Sequence, residues 1–220
     1  MTDVYEIMST LRAVRRLRPD PIPAEVLDRV LQAACWAPTG GNQQPWRVLV
    51  VEDPELKAAV ADLYRPEWEL YVIFSRKRMA DTGASAEDAA AYERTISAGD
   101  HLAANMGRAP ALLLFVADPA RMAITDKNLD RISMVGGGSV YTAVQNAMLA
   151  CRAEGLGCTL TTLHCLREDE LKELLGIPAG WAAPALVPIG YPVGRGHGSI
   201  SRRGPGEMAY RDRFGVSWRD

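Results

Sequence analysis

Two groups of residues in this chain have the types and spacing to bind a ligand. In Ala37-Pro38-Thr39-Gly40-Gly41-Asn42-Gln43-Gln44-Pro45-Trp46, two glycines allow backbone angles and close approaches that a side chain would block. Thr39, Asn42 and Gln44 offer hydrogen bonds without net charge. That chemistry suits a flat, polar-edged ligand better than a metal ion; ordinary turn residues joining a helix to a strand are the simpler alternative. Arg12, Arg15 and Arg16 near one end and Arg202 and Arg203 near the other form the second group. Guanidinium groups are permanently charged, planar and able to donate paired hydrogen bonds to an anion's oxygens, although each cluster could also be a solvated helix face or a basic tail. A further stretch, Cys158-Thr159-Leu160-Thr161-Thr162-Leu163, alternates apolar and hydroxyl residues as a short strand would.

Other arrangements are weaker. Cys35, Cys151, Cys158 and Cys165 are irregularly spaced without a C-x-x-C pair, so reduced and mostly buried thiols are expected rather than zinc or a dithiol. His164-Cys165 could be drawn as base and nucleophile, but sequence neighbours rarely face each other and no orienting residue is indicated. Gly136-Gly137-Gly138-Ser139 opens a helix as a phosphate cradle would. A dinucleotide site would also need a preceding strand and a later acid, and residues 126–133 do not read as a buried strand.

The elements that must position these residues follow from periodicity. Ile7, Leu11 and Val14 place a helix over residues 2–17, ended by Pro19-Asp20-Pro21. A second helix follows Pro23, carries Val26, Leu27, Val30, Leu31 and Ala34 on one face and stops at Pro38, so the glycine loop sits at its C-terminal end. Trp46–Val51 reads as a strand buried on both faces, Asp53-Pro54 starts another helix, and Ala111–Ala117 and Ala185–Ile189 are further strands. Ser139 to Glu154 is the clearest helix, with Ser139 available as its cap and Gly155-Leu156-Gly157 as its stop. Residues 65–105 read as a largely helical insertion with a joint at 81–88 and aromatic residues including Trp68, Tyr71 and Tyr92.

The chain has 220 residues, 48% hydrophobic and 24% charged, enough to bury one substantial core. A net charge of -2 argues against a general nucleic-acid binder. No apolar run approaches the ~18 residues of a membrane span, and Met1 to Tyr5 lacks the pattern of a signal peptide, so a cytoplasmic protein is expected.

Leu11-Arg12-Ala13-Val14-Arg15-Arg16-Leu17, the loop ending at Trp46, Pro188-Ile189-Gly190-Tyr191-Pro192 and Arg202-Arg203-Gly204-Pro205, in that order, resemble the nitroreductase family of FMN-dependent oxidoreductases. That family opens with an Arg-Ser-x-Arg segment, continues with a Pro-Ser-x-x-Asn-x-Gln-Pro-Trp loop and closes with an arginine after a Gly-Tyr-Pro strand end. The resemblance runs from about residue 5 to about residue 214 and is weakest between about 65 and 104. Ala13 stands where the family has serine, leaving only backbone contact to a phosphate, and Gly40 and Gly41 lack hydroxyls that some relatives place over the flavin.

The resemblance implies an α+β fold, a mixed or antiparallel sheet wrapped by helices, as one domain over residues 1–220 with a variable helical lid at about 65–105. It also implies an intertwined homodimer with FMN at each of two subunit interfaces. The residues carried over to FMN are Arg12, Ala13, Arg15, Pro38, Thr39, Asn42, Thr161, Thr162, Leu163, Arg202 and Arg203, with Arg12, Arg15 and Arg203 assigned to the phosphate. Thr161, Thr162 and Leu163 match a threonine-rich segment of the iodotyrosine deiodinase-like branch. The implied reaction takes hydride from NADH or NADPH to FMN and on to a nitroaromatic, quinone or related acceptor in ping-pong order. No catalytic side chain and no metal are implied. Reductive dehalogenation and flavin binding without NAD(P)H turnover stay open, as do the acceptor, the preferred nucleotide and a deazaflavin in place of FMN.

Overall fold

The structure is a computed structural model describing residues 3–219. At its centre lies β2 (Ala111–Ala117), an apolar strand buried along its whole length. Alternation across the pleat sends Leu113 and Phe115 into one layer and Leu112, Leu114 and Val116 into the other. Full burial of each such side chain stabilises the fold by about 1.5–3 kcal/mol. Strands β1 (Trp46–Val51) and β4 (Ala182–Gly190) flank β2, and the two-residue β3 (Gly157–Cys158) pairs with the end of β4. Every pairing in the β1-β2-β4-β3 sheet is antiparallel.

Helices cover both faces. On the Phe115 side, α2 (Ala24–Cys35) packs Val26, Val30 and Ala34 against Val140, Ala143 and Ala147 of α5 (Gly138–Ala153). The opposite layer holds Val60 and Tyr64 of α3 (Pro54–Asp81), Leu102 of α4 (Ala86–Asn105) and Leu171 of α6 (Glu168–Leu175). Two short helices, α1 (Val4–Thr10) and α7 (Pro205–Met208), lie outside these layers. No helix among the described residues is long and apolar enough to cross a membrane.

The helix expected over residues 2–17 is only α1; Thr2 lies outside the described residues. Asp3 caps α1 through the Tyr5 amide, and Leu11 then turns extended at φ -68 and ψ 112. The next residues pair with the sheet instead. Val14 N–H donates to Cys158 O at 2.9 Å, Arg18 N–H to Tyr191 O at 2.7 Å, and Val193 N–H to Arg16 O at 2.9 Å. Val14, β-branched and buried, gains more from this docking than from one more helical turn.

Other expectations need correction. β1 is an edge strand rather than one buried on both faces, with Arg47 exposed and Val48 to Val50 half-covered. Ser139 does not cap α5: Gly137 holds the cap position, and the Ser139 hydroxyl accepts from Gly40 N–H at 3.2 Å. The strand expected from Cys158 to Leu163 shrinks to β3 and an isolated bridge between Thr161 and Leu186, followed by a 3₁₀ turn at Leu163–Arg167. Cys151 and Cys158 are buried but Cys35 and Cys165 are exposed, and all four are free.

The start of the 65–105 segment falls inside α3, which begins at Pro54 and runs through Pro66. The expected joint coincides with the turn between Thr82 and Ser85, after which the Ser85 hydroxyl caps α4. Trp68 locks the two helices together: a Cβ on Gly99 would lie 2.1 Å from its indole, and its Nε1–H donates to Asp100 Oδ1 at 2.8 Å. Arg76 and Glu93 add a bidentate pair at 2.9 and 3.1 Å.

No strand precedes the glycines of residues 136–138, so they form no dinucleotide fingerprint. A loop pinned by the buried Asp126 leads into them instead. This carboxylate accepts from Ser133 Oγ at 2.7 Å, Met134 N–H at 2.8 Å, Val135 N–H at 3.3 Å and Arg131 Nη1 at 2.8 Å. The Ser133 hydroxyl and the Met134 amide are the main causes that hold it well below the usual carboxylate range.

Two outcomes test this description. A Cβ on Gly157 would lie 2.6 Å from Val14 Cγ1 and 2.9 Å from Leu17 Cδ2. Gly157→Ala is therefore expected to cost roughly 1–3 kcal/mol in denaturant unfolding. The Asp126 carboxylate, depressed in the folded state, contributes stability above its unfolded pKa of about 3.9 and loses it as pH falls toward the lower folded value. The stability gap between the native chain and Asp126→Asn should be widest near neutral pH and narrow below about pH 4; a gap constant with pH would exclude this role for Asp126.

Candidate functional site

The docked segment at residues 11–18 carries the site. Its backbone is fixed by Cys158 and Tyr191, and Val14 is buried beneath it. The two candidate arginines emerge from it into different cavities. Arg15 lines one of about 230 Å³ with Tyr64, Trp68 and Tyr71 of α3, Tyr92 of α4 and residues 159–163. Arg12 lines a smaller polar one of about 160 Å³ with residues 195–199. Ala13 is exposed between them.

The Arg15 cavity joins three physical features. Arg15 is half-buried, with neither a hydrogen bond nor an ion pair among the described residues. Desolvation lowers its pKa, the neighbouring Arg12 lowers it further, and Tyr64 and Tyr71 oppose them. Such a cation lacks the anionic or polar partner that would compensate its burial. Across from it, the Thr161 backbone exchanges two hydrogen bonds with Leu186 at 2.9 and 3.0 Å, and its Oγ1 lies 3.2 Å from the Tyr64 hydroxyl. Burial pushes the Tyr64 phenol up despite Thr161 and Arg15. Finally, Trp68 and Tyr71 form an aromatic wall, ring centroids 5.4 Å apart. A fixed cation, an anchored hydroxyl and an aromatic wall suit a planar ligand with a polar, electron-rich edge.

The glycine loop is elsewhere on this chain. Pro38, Thr39 and Asn42 do not line the Arg15 cavity. Gly41, Asn42 and Gln44 take positive φ of 57, 53 and 47°, a conformation that costs non-glycine residues free energy. Internal hydrogen bonds hold it: Gln44 N–H donates to Thr39 Oγ1 and Gln44 Nε2 to Asn42 Oδ1, both at 3.1 Å. Thr142 Oγ1 donates to Pro38 O at 3.3 Å, and Arg121 Nη2 to Gln43 O at 3.1 Å. The loop is thus built into a strained shape while its tip stays exposed.

Thr161, Thr162 and Leu163 all line the Arg15 cavity, although Arg15 was expected on the phosphate, apart from the threonine segment. Arg202 and Arg203 do not join it or the Arg12 cavity: both are exposed, Arg202 donating to Ser201 O and Arg203 lying 4.0 Å from Glu207. Sequence reasoning missed Tyr64 and Thr159 in the first cavity and Arg195 and His197 in the second. Arg195-Gly196-His197-Gly198, basic residues bracketed by glycines, was an available signal. His164 and Cys165 do approach each other, Nε2 to Sγ 3.7 Å, but both are engaged by Ala183 O at 2.7 and 3.4 Å. Although the residue is exposed overall, desolvation around its part-covered sulfur raises the Cys165 thiol, contrary to what a thiolate nucleophile needs. Among the described residues no group of three His, Cys, Asp or Glu side chains could hold a metal ion.

The profile described as Nitroreductase family matches residues 10–191. Iodotyrosine deiodinase 1 of Rattus norvegicus is 30% identical over 200 residues, covering 86% of this chain but 62% of the deiodinase, so the chain spans about three fifths of that relative. 5,6-Dimethylbenzimidazole synthase of Rhodobacter capsulatus is 33% identical over 192 residues, covering 85% of this chain and 82% of the synthase. The structure of an oxidized iodotyrosine deiodinase bound to FMN and 3-iodo-L-tyrosine shares the fold, with a TM-score of 0.67 at 24% identity over 92% of this chain and 96% of that one.

Proposed function

This chain belongs to the Nitroreductase family, and from that premise we propose that it is an FMN-dependent oxidoreductase passing hydride from NADH or NADPH to a nitroaromatic, quinone or related acceptor. The observation that carries the proposal is Arg15, a half-buried cation without a hydrogen-bond or ion-pair partner among the described residues, in one cavity with Thr161, Thr162 and Leu163. The residues fit the cofactor. Arg15 and residues 161–163 would hold the polar edge of its ring, while Arg12 and the Ala13 backbone would hold its phosphate. Arg15, expected on the phosphate, fits the ring end better because it shares the cavity with the threonines.

When bound, the isoalloxazine supplies the hydride chemistry. The chain binds, orients and excludes water. Arg15 supplies a fixed positive charge, and Thr161, anchored through its backbone and Tyr64, supplies a hydroxyl in a set position. Trp68 and Tyr71 offer a face on which a planar acceptor can stack. The α3–α4 pair forms the lid. No side chain is required as a nucleophile.

Because Pro38, Thr39 and Asn42 lie outside the Arg15 cavity, we assign them to FMN held by a second copy, in an intertwined homodimer. The strained, exposed loop supports this assignment. Arg202 and Arg203, on the exposed C-terminal segment, would serve the assembled dimer in the same way. Two alternatives each have support: the deiodinase relative and the threonine segment favour reductive dehalogenation, and the synthase relative favours a protein that binds flavin without NAD(P)H turnover.

The purified protein is expected to be yellow and to release FMN rather than FAD on denaturation. Anaerobic NADH or NADPH should bleach it, and steady-state turnover with a quinone should give parallel double-reciprocal lines. Protein that takes up no added FMN would overturn the proposal. Bound flavin reduced by neither nucleotide would favour the alternatives, and intersecting lines would exclude a single pocket serving both substrates in turn.

A further inference from the structure

We propose that the apolar groove between α3 and the 3₁₀ turn at Leu163–Arg167 extends the acceptor site and holds the alkyl chain of a chain-bearing quinone whose planar head lies in the Arg15 cavity. This rests on the reading of that cavity as the place where the acceptor meets the flavin. Tyr71 and Leu163 line both spaces, so the groove adjoins the cavity. Its volume is about 370 Å³, and Leu70, Phe74 and Leu166 supply the rest of its apolar wall. A head stacked against Trp68 and Tyr71 would send a ring substituent past Leu163 into this groove.

The pattern along α3 is not what folding alone requires. Val72 and Ser75 are buried, whereas Leu70, Ile73 and Phe74 stand exposed, Phe74 at 68% beside Ser75 at 4%. A helix that only covered the sheet would place the serine outside and the phenylalanine inside. Leu166, on the neighbouring turn, is 65% exposed, so apolar side chains from two elements border one open space. Contiguous exposed apolar surface of this kind marks a binding site. Charge agrees with an uncharged occupant. Glu67 is the groove's one carboxylate among the described residues, and Arg167 Nη1 neutralises it at 3.7 Å. Arg78 stands at the opposite end. Between these two residues α3 advances roughly 16 Å, room for a chain of many carbons rather than a methyl group. No side chain of the groove enters the chemistry: hydride and one proton from solvent turn the quinone into the hydroquinone, and the groove supplies affinity alone.

Naphthoquinones carrying a 2-methyl group and a 3-ethyl, butyl, hexyl or octyl chain test the groove, since both ring positions are then blocked to the exposed Cys35 and Cys165 thiols. Their Kd, read by quenching of tryptophan fluorescence in the FMN-loaded protein, should fall about threefold to fourfold per added methylene until the groove is filled. Phe74→Ser and Leu166→Ser should each flatten this dependence while leaving the ethyl compound's Kd unchanged, and Phe74→Leu should retain it. A Kd independent of chain length, or a slope that both serine variants keep, would overturn the groove. The same series in protein without flavin separates the two readings. A slope there that the serine variants flatten supports the groove even if the native chain takes up no FMN, whereas bleaching of bound FMN by NADPH with no slope removes the groove alone. A second copy is the competing occupant. Phe74→Ser should leave the mass in sedimentation unchanged, and a drop in mass would assign this face to a subunit contact and overturn the proposal.

Discussion

The hydrogen bonds joining residues 14–18 to Cys158 and Tyr191 are what the rest of the site depends on. They take a segment that local spacing would make a helix and hold it extended along the end of the sheet. A helix would carry Arg12 and Arg15 on one face, three residues apart. Docked against β3, the same residues enter separate cavities. Gly157 permits the contact because no Cβ stands between β3 and Val14. Backbone pairing thus determines where the charge goes, and burial of Val14 stabilises the pairing.

Around this segment rigid and exposed parts divide the work. The core on both faces of β2 holds β4 and, through it, Thr161, whose backbone is tied to Leu186 by two hydrogen bonds. The α3–α4 pair is fastened by Trp68 over Gly99 and by Arg76 with Glu93, so Tyr64 and Tyr71 enter the cavity from a braced support. The glycine loop is ordered by its own hydrogen bonds, yet on this chain its tip faces outward. Strain in an exposed loop is the mark of a surface shaped for something other than its own core.

Much of this was legible in the sequence, and the failures share a cause. β2 and the ends of α2 and α5 were readable because apolar periodicity and proline or glycine punctuation act locally. Arg15 and Thr161 to Leu163 were singled out by resemblance rather than by periodicity, and their meeting in one cavity was not foreseen. What could not be read depends on distant partners. Val14 leaves the helix for Cys158, Ser139 abandons its cap for Gly40, and the threonine segment is released from strand geometry after meeting Leu186. Arg195 went unnoticed because its neighbour across the cavity is Arg12, far away in sequence.

The outer edge of β1 carries a consequence for handling the chain. An uncovered strand edge offers a row of unsatisfied backbone donors and acceptors, to which any extended peptide can add. Here Trp46 to Val51 presents such an edge with one charge, Arg47, and with Pro45 before the strand and Pro54 after it as the nearest interruptions. On this chain the edge, and the half-covered Val48 and Val50 along it, are open to another extended strand. Aggregation in dilute refolding or overexpression should therefore start at β1, and the remedy lies in protein concentration and order of assembly rather than in a better-packed core.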